Sequence, residues 1–215
     1  RWDADVTHSG VGHEETLRRF ASGETQVLVG TQLVAKGLHI PNVTLVGVVL
    51  ADVGLYLPDF RAGERGFDLL CQVAGRAGRG SAPGQVIIQT YSPEHYAIRA
   101  AAQHDYAALY QQEIQARHQQ GNPPFNQLMH LVYQDLNPSL CQRQAMDTAR
   151  LLRHKVYAQG LADVDVIGPA PGVPARLRGR YRWHLTLRGR DLHHLLEGVD
   201  FPPGCTVDVD PAHLL

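Results

Sequence analysis

The residues best suited to chemistry stand in a short run, QVAGRAGRG, at positions 72–80. Gln72, Arg76 and Arg79 are spaced i, i+4 and i+7, the spacing of one helical face. A carboxamide and two guanidiniums on one face would suit phosphate oxygens, since guanidinium binds them bidentately and stays charged. Gly75 and Gly78 cost helix propensity, about 1 kcal/mol each against Ala. They make sense if another backbone or a ligand approaches closely there. Some forty residues upstream, VLVGTQLVAKG places Gly30, Thr31 and Gln32 where a strand gives way to a helix. Free N–H groups, a hydroxyl and an amide at a helix start form an oxyanion cradle. An ordinary strand-to-helix turn with a Thr cap has the same letters. Asp52 closes the apolar run 43–51, at the ligand crevice of a parallel sheet, and suits either positioning Gln72 or an arginine or capping a turn.

A second concentration of charge lies at 175–190, ARLRGRYRWHLTLRGR, which has six arginines and no acid. On one extended strand, Arg176, Arg178, Arg180 and Arg182 would face away from Tyr181 and Trp183. A hairpin turn at Gly179 would instead divide the pattern between two strands. Both arrangements give a compact basic patch suited to phosphate contacts that weaken with salt. The aromatic pair reads as core. His193 and His194 have no H-x-x-x-H or HExxH companion, and Cys71, Cys141 and Cys205 lie far apart with no C-x-x-C spacing. No metal site is expected in this chain, and a reduced, cytoplasmic setting is the simple expectation.

These residues need a scaffold, and the 215-residue chain is long enough for one large domain or two small ones. A formal net charge of −1 leaves any attraction to nucleic acid or membrane to local patches. The longest strongly apolar stretch, 43–51, is far short of the ~20 residues a membrane span takes. Residues 13–22 have helical periodicity, 25–30 and 83–93 read as strands, and 41–52 reads as a central parallel strand covered on both faces. Strands alternating with helices imply an α/β unit with a parallel sheet over 1–93. Residues 94–122 read as a helical connector broken near His104, with Tyr106 and Tyr110 as packing residues, and GNPP ends it. Over 123–215 the pattern is β-α-β-β-α-β, a smaller α+β domain.

The two phosphate-suited motifs, in this order and spacing, resemble the second RecA-like lobe of superfamily 2 helicases. GTQLVAKGLHIPNVTLVGVVLAD, PDFRAGER, QVAGRAGRG and PGQVIIQTYSPEH, with NPPF, IGPAP, RGRYRW and DVDP further on, narrow the resemblance to the primosomal, replication-restart branch. The resemblance covers essentially the whole chain and is strongest at 25–95. It implies a partial RecA-like lobe and a C-terminal domain of an ATP-dependent 3′-to-5′ DNA helicase. It implies that Arg79 is an arginine finger, that Arg76 and Gln72 reach the γ-phosphate or link it to the DNA-binding motif, and that Gly30, Thr31, Gln32, Asp52 and Gly75 couple nucleotide to DNA. Thr31, Lys36 and His39, with Arg176 and Arg178, would meet DNA. Arg180, with Arg182 and His184 behind it, would take the acidic tail of single-strand-binding protein. Implied partners are branched, forked and single-stranded DNA, that tail, and other primosome proteins.

No G-x-x-x-x-G-K-[ST] and no D-E-x-H occurs in the sequence. ATP and Mg²⁺ would therefore be held mainly by a first lobe, and the zinc-binding cysteines of such proteins would lie upstream, which makes this chain an expected fragment without ATPase activity of its own. Two rival readings are a non-catalytic, DNA-structure-binding primosome scaffold and a RecG-like fork-remodelling helicase.

Overall fold

The computed structural model describes residues 11–31, 43–78 and 83–214. The described chain divides into two compact units. One runs to Leu57 and resumes over Arg61–Gln112; the other takes Pro58–Phe60 and the chain from Glu113.

In the first unit, α1 (Val11–Ala21) is followed by β1 (Leu45–Val48), α2 (Asp52–Leu55), α3 (Ala62–Ala74), β2 (Gln85–Ile88) and α4 (Tyr96–Gln103). β1 and β2 run parallel, with Leu45 opposite Gln85 and Val48 opposite Ile88. The core forms where α3 meets α4: Phe67 and Leu70 pack with Ala97, Ile98, Ala100 and Ala101, joined by Leu55 and Leu109. Fully burying a side chain the size of Phe or Leu stabilises by about 1.5–3 kcal/mol. Val48 and Ile88 touch this core, whereas Leu45 and Ile87 are exposed. The expectation of a strand covered on both faces is therefore corrected: among the described residues the parallel pair is covered on one face. The expected strand at 25–30 is corrected too. Val27 and Val29 are exposed and only Gly30 makes an isolated bridge, because among the described residues no neighbouring strand offers a ladder.

The helical stretch after residue 94 breaks where the sequence indicated. His104 adopts left-handed backbone (φ 54°) and caps α4, and α5 (Tyr106–Gln120) starts anew with Asp105 accepting from the Ala108 N–H at 2.9 Å. At the other end of α4 the His95 side chain accepts from the Ala97 N–H.

The second unit runs β3 (Gln127–Asp135), α6 (Pro138–Ala158), β4 (Asp165–Leu177), β5 (Arg180–Gly189), α7 (Leu192–Leu196) and β6 (Cys205–Val209). Its sheet has the order β4-β5-β3-β6, every neighbouring pair antiparallel. β5 thus lies between β3 and β4, the two strands that α6 connects. Asn137 starts α6 by accepting from the Ser139 and Leu140 N–H groups (3.0 and 3.2 Å), with Pro138 at the first helical position, where no N–H is missed. Cys141, Ala145, Ala149 and Leu152 form the buried stripe of α6 and pack on Met129, Leu131, Tyr133, Leu185 and Leu187 of the sheet, with Leu192 and Leu195 of α7. Tyr181 and Trp183 pack against this core, as the alternation in 180–189 indicated. The next residues along β5, Arg182 and His184, belong to the opposite face.

Candidate functional site

The glycine–arginine run sits where α3 stops. The helix ends at Ala74 and Gly75 caps it, its N–H bonded to the Cys71 carbonyl at 3.0 Å. The N–H groups of Arg76 and Ala77 then reach back only three residues, to Val73 and Ala74 (3.0 and 3.2 Å). Gly78 turns the chain with φ +75° and donates to the Val43 carbonyl at 2.9 Å, just ahead of β1. This corrects the expectation of one continuous helical face. Gln72 is exposed on the last turn of α3, while Arg76 is half-buried in the turn beyond it. Arg79 lies outside the described residues, as do Gln32, Lys36 and His39.

The crowding that the glycines predicted is backbone against backbone. A Cβ on Gly84 would stand 2.2 Å from the Gly78 nitrogen, and one on Gly78 would stand 2.9 Å from the Gly84 nitrogen. Only two glycines let the turn after α3 cross the entry of β2 at this distance. The crossing is fixed by the Gln85 N–H bonded to the Thr44 carbonyl at 2.8 Å. Gln72 and Arg76 therefore project from an anchored corner at the start of the strand pair.

Asp52 belongs to the other end of those strands. Its two carboxylate oxygens accept from the Thr90 hydroxyl (3.0 Å) and the Tyr91 N–H (3.1 Å), tying the exit of β1 to the exit of β2. Of the two roles open in the sequence, capping a turn is the one these bonds describe; the structure does not bring Asp52 to Gln72 or Arg76. Gly30 and Thr31 are exposed.

In the second unit the basic run folds into a hairpin, the alternative that Gly179 left open. Arg178 (φ 48°) and Gly179 (φ 82°) form a two-residue turn between β4 and β5, with Leu177 opposite Arg180 and Arg176 opposite Tyr181. Two left-handed residues in succession give the tight turn that suits the twist of a hairpin. Arg176, Arg178 and Arg180 are exposed around this tip. Arg176 donates from Nε to the Gly179 carbonyl (3.3 Å) and lies 5.2 Å over the Tyr181 ring, so its guanidinium is held in place.

Further down β5 the same face closes over. Arg182 is 9% exposed and His184 8%, so of the three residues expected at a peptide carboxylate only Arg180 is open to solvent. They join a residue that no sequence motif marks, His130 of β3, which is 4% exposed. Its ring meets the His184 ring edge-on at 4.7 Å, and its Nδ1 is 2.9 Å from the Thr186 hydroxyl. Burial, then the neighbouring His130 and Arg182, pushes His184 down to about 4. His130 is lowered as well, chiefly by burial, with Asp208 pulling the other way.

NPPF and DVDP, distant in sequence, meet around a shallow depression lined by Pro123, Pro124, Phe125, Asn126, Gln127, Arg190, Asp191 and Asp210. Among the described residues no group of His, Cys, Asp and Glu is placed to hold a metal ion, and no helix is long and apolar enough to cross a membrane.

Residues 6–81 match the family described as Helicase conserved C-terminal domain, and residues 118–212 match Primosomal protein N C-terminal domain. The replication restart protein PriA of Bacillus subtilis (strain 168) is 43% identical over 188 residues, which is 87% of this chain and 23% of that protein. The PriA protein of Treponema pallidum (strain Nichols) is 40% identical over 225 residues, covering 100% of this chain and 33% of that protein. That of Synechocystis is 41% identical over 188 residues, 87% of this chain and 22% of that protein. The chain thus spans a third or less of the length of these relatives.

Proposed function

The chain is a relative of the replication restart proteins named PriA, and on that premise we propose that it is the carboxy-terminal portion of an ATP-dependent 3′-to-5′ DNA helicase that assembles the primosome at stalled forks. The order of the two matched domains supports this, a helicase segment followed by a primosomal one. The primosomal match also favours it over a RecG-like fork-remodelling enzyme.

The division of labour follows from the residues present. A carboxamide at 72 and guanidiniums at 76 and 79 fit the phosphates of a nucleotide held by another lobe, while the sequence contains no phosphate-binding loop of its own. ATP bound there supplies the phosphoryl transfer that drives the motor. Arg79 would stabilise charge on the transferring group, and Gln72 and Arg76, projecting from the anchored corner at Gly78 and Gly84, would contact it. Thr31, Gln32, Lys36 and His39 track the DNA backbone. In the second unit Arg176, Arg178 and Arg180 bind phosphates of branched DNA, and Arg180 also serves the acidic tail of single-strand-binding protein. Zinc belongs to a part of the parent protein upstream of this sequence. The units divide as a helicase lobe over 1–93, a connector over 94–122 and a DNA- and partner-binding domain over 123–215.

The observation that carries the DNA-binding reading is the group of exposed arginines, Arg176, Arg178 and Arg180, around a tight two-residue turn. Replacing Arg178 or Arg180 by Ala is expected to weaken forked-DNA binding and to lower the log–log salt slope by about 1 for each lost phosphate contact. An unchanged slope refutes the assignment. In the full-length protein, Arg79→Ala is expected to abolish ATP turnover with DNA binding intact, and the isolated chain is expected to show none. DNA-stimulated turnover by the isolated chain overturns the division of labour.

A further inference from the structure

The sheet of the second unit ends in two edges of different kinds. β4, on one side, carries Pro169, Pro171 and Pro174 and breaks register twice, and prolines and bulges are devices that keep an edge from pairing. β6, on the other side, has no proline over Cys205–Val209 and no outer neighbour among the described residues. Its register shows which groups are unused. The Asp210 N–H donates to the Leu128 carbonyl at 2.9 Å, and the Gln134 N–H donates to the Gly204 carbonyl at 3.0 Å. Bonded pairs alternate in an antiparallel ladder, so Asp208 opposite His130 and Thr206 opposite Val132 are the bonded ones between. The main-chain groups of Val207 and Val209 therefore point away from β3, and their N–H and C=O groups form an open ladder.

We propose that β6 is the docking edge for an extended segment of a partner protein in which apolar and basic residues alternate. The two faces of the strand set that chemistry. Val207 and Val209 lie opposite Leu131 and Met129, on the face toward α6, and stay 37% and 44% exposed at its margin. Apolar side chains of an added strand cover them. On the other face Asp208 is exposed, and exposed Asp210 follows at the strand end. His130, across from Asp208, is pushed by burial below its ordinary value and offers no positive charge at neutral pH. Basic residues at alternate positions of the segment answer these carboxylates. The edge also runs into open space. Asp210 lines the depression of about 380 Å³ that Pro124, Phe125, Arg190 and Asp191 share. Arg190 balances one of the two acids there, so the hollow is net acidic and takes a basic side chain at the end of the docked segment. Over 199–210 the sequence has Asp200, Asp208 and Asp210 and no basic residue. A second copy of β6 would bring acid to acid, and nucleic-acid phosphate would be repelled. The edge stands on these observations alone and does not depend on the helicase reading.

The test uses the whole chain and a fluorescein-labelled peptide of alternating lysine and valine, read by anisotropy, with amide exchange followed by NMR. Saturable binding is expected, with exchange slowed at Val207 and Val209 and unchanged at Thr206 and Asp208, which already bond to β3. The same peptide N-methylated at every residue keeps its charge but loses its main-chain donors, and is expected to bind at least about tenfold more weakly. A peptide with glutamate in place of lysine is expected to lose about tenfold or more as well. Val207→Pro removes an outward N–H and no bond to β3, and is expected to weaken binding about tenfold. Should that variant fail to fold, Asp208→Asn is expected to shrink the lysine peptide's advantage over the glutamate peptide about threefold. Equal binding of the N-methylated peptide, unslowed exchange at Val207 and Val209, or indifference to the peptide's charge overturns the proposal. Protection of both amides without peptide, in a chain that sediments as a dimer, assigns the edge to a second copy and overturns it too.

Discussion

Acidification gives a quantitative handle on the second unit through His184. Its imidazole is held at about 4 by burial and by its neighbours His130 and Arg182. In the unfolded chain it titrates near 6.5, so between these values the unfolded state binds more protons and stability rises with pH. The contribution is complete above the unfolded value and is lost as pH falls toward the folded one. Lowering the pH from about 7.5 to about 5 should cost about 2 kcal/mol from this group, approaching about 3 kcal/mol near pH 4. The assay is urea unfolding followed by Trp183 fluorescence in a Trp2→Phe background, which leaves one of the two tryptophans of the chain. Carboxylates also titrate in this range, so the informative quantity is the difference between the parent and His184→Gln. The parent should lose about 2 kcal/mol more than the variant over the same interval. Equal losses would refute the reasoning, because they would mean that His184 is as free to charge in the folded unit as in the unfolded chain.

Two further outcomes probe the first unit. Gly84→Ala forces a methyl against the Gly78 nitrogen and should cost about 1–3 kcal/mol or more, or block folding of that unit, measured by the midpoint of chemical unfolding; an unchanged midpoint would contradict the backbone crossing. Asp52→Ala removes both bonds joining the exits of β1 and β2 and should lower stability by about 1–3 kcal/mol while leaving DNA affinity within twofold, as read by calorimetry and fluorescence anisotropy.

Local patterns carried much of this fold. The alternation of apolar residues along 180–189 placed Tyr181 and Trp183 on the core, and the break at His104 followed from a change in local character. The end of α3 did not, since the spacing of Gln72, Arg76 and Arg79 continues a helical pattern past the residue where the backbone leaves the helix. Beyond the Gly75 cap the chain turns to cross Gly84, a contact made with another segment and absent from any short window of letters. The 25–30 run failed for the converse reason: its β-branched residues fit a ladder, but no described strand lies beside it. His130 was illegible because its meeting with His184 is a product of register between β3 and β5, which pairs Val132 with His184 and sets the histidine on the next position of the same face. The two-residue turn at Arg178 and Gly179 was legible as an option, and the left-handed backbone of both residues shows why it prevailed.

The placement of β3 has a consequence for how the second unit comes into being. This strand, the earliest of its sheet to be synthesised, is flanked by two later ones, β5 on one side and β6 on the other. Neither flank is supplied by a neighbour in sequence, so a nascent chain that has just made β3 and α6 has nothing to zip to the strand. Closure waits for distant segments to arrive, which slows the search. A ribosome-stalled or proteolysed product ending ahead of Cys205 would present the bare rim of β3 to whatever strand it met first.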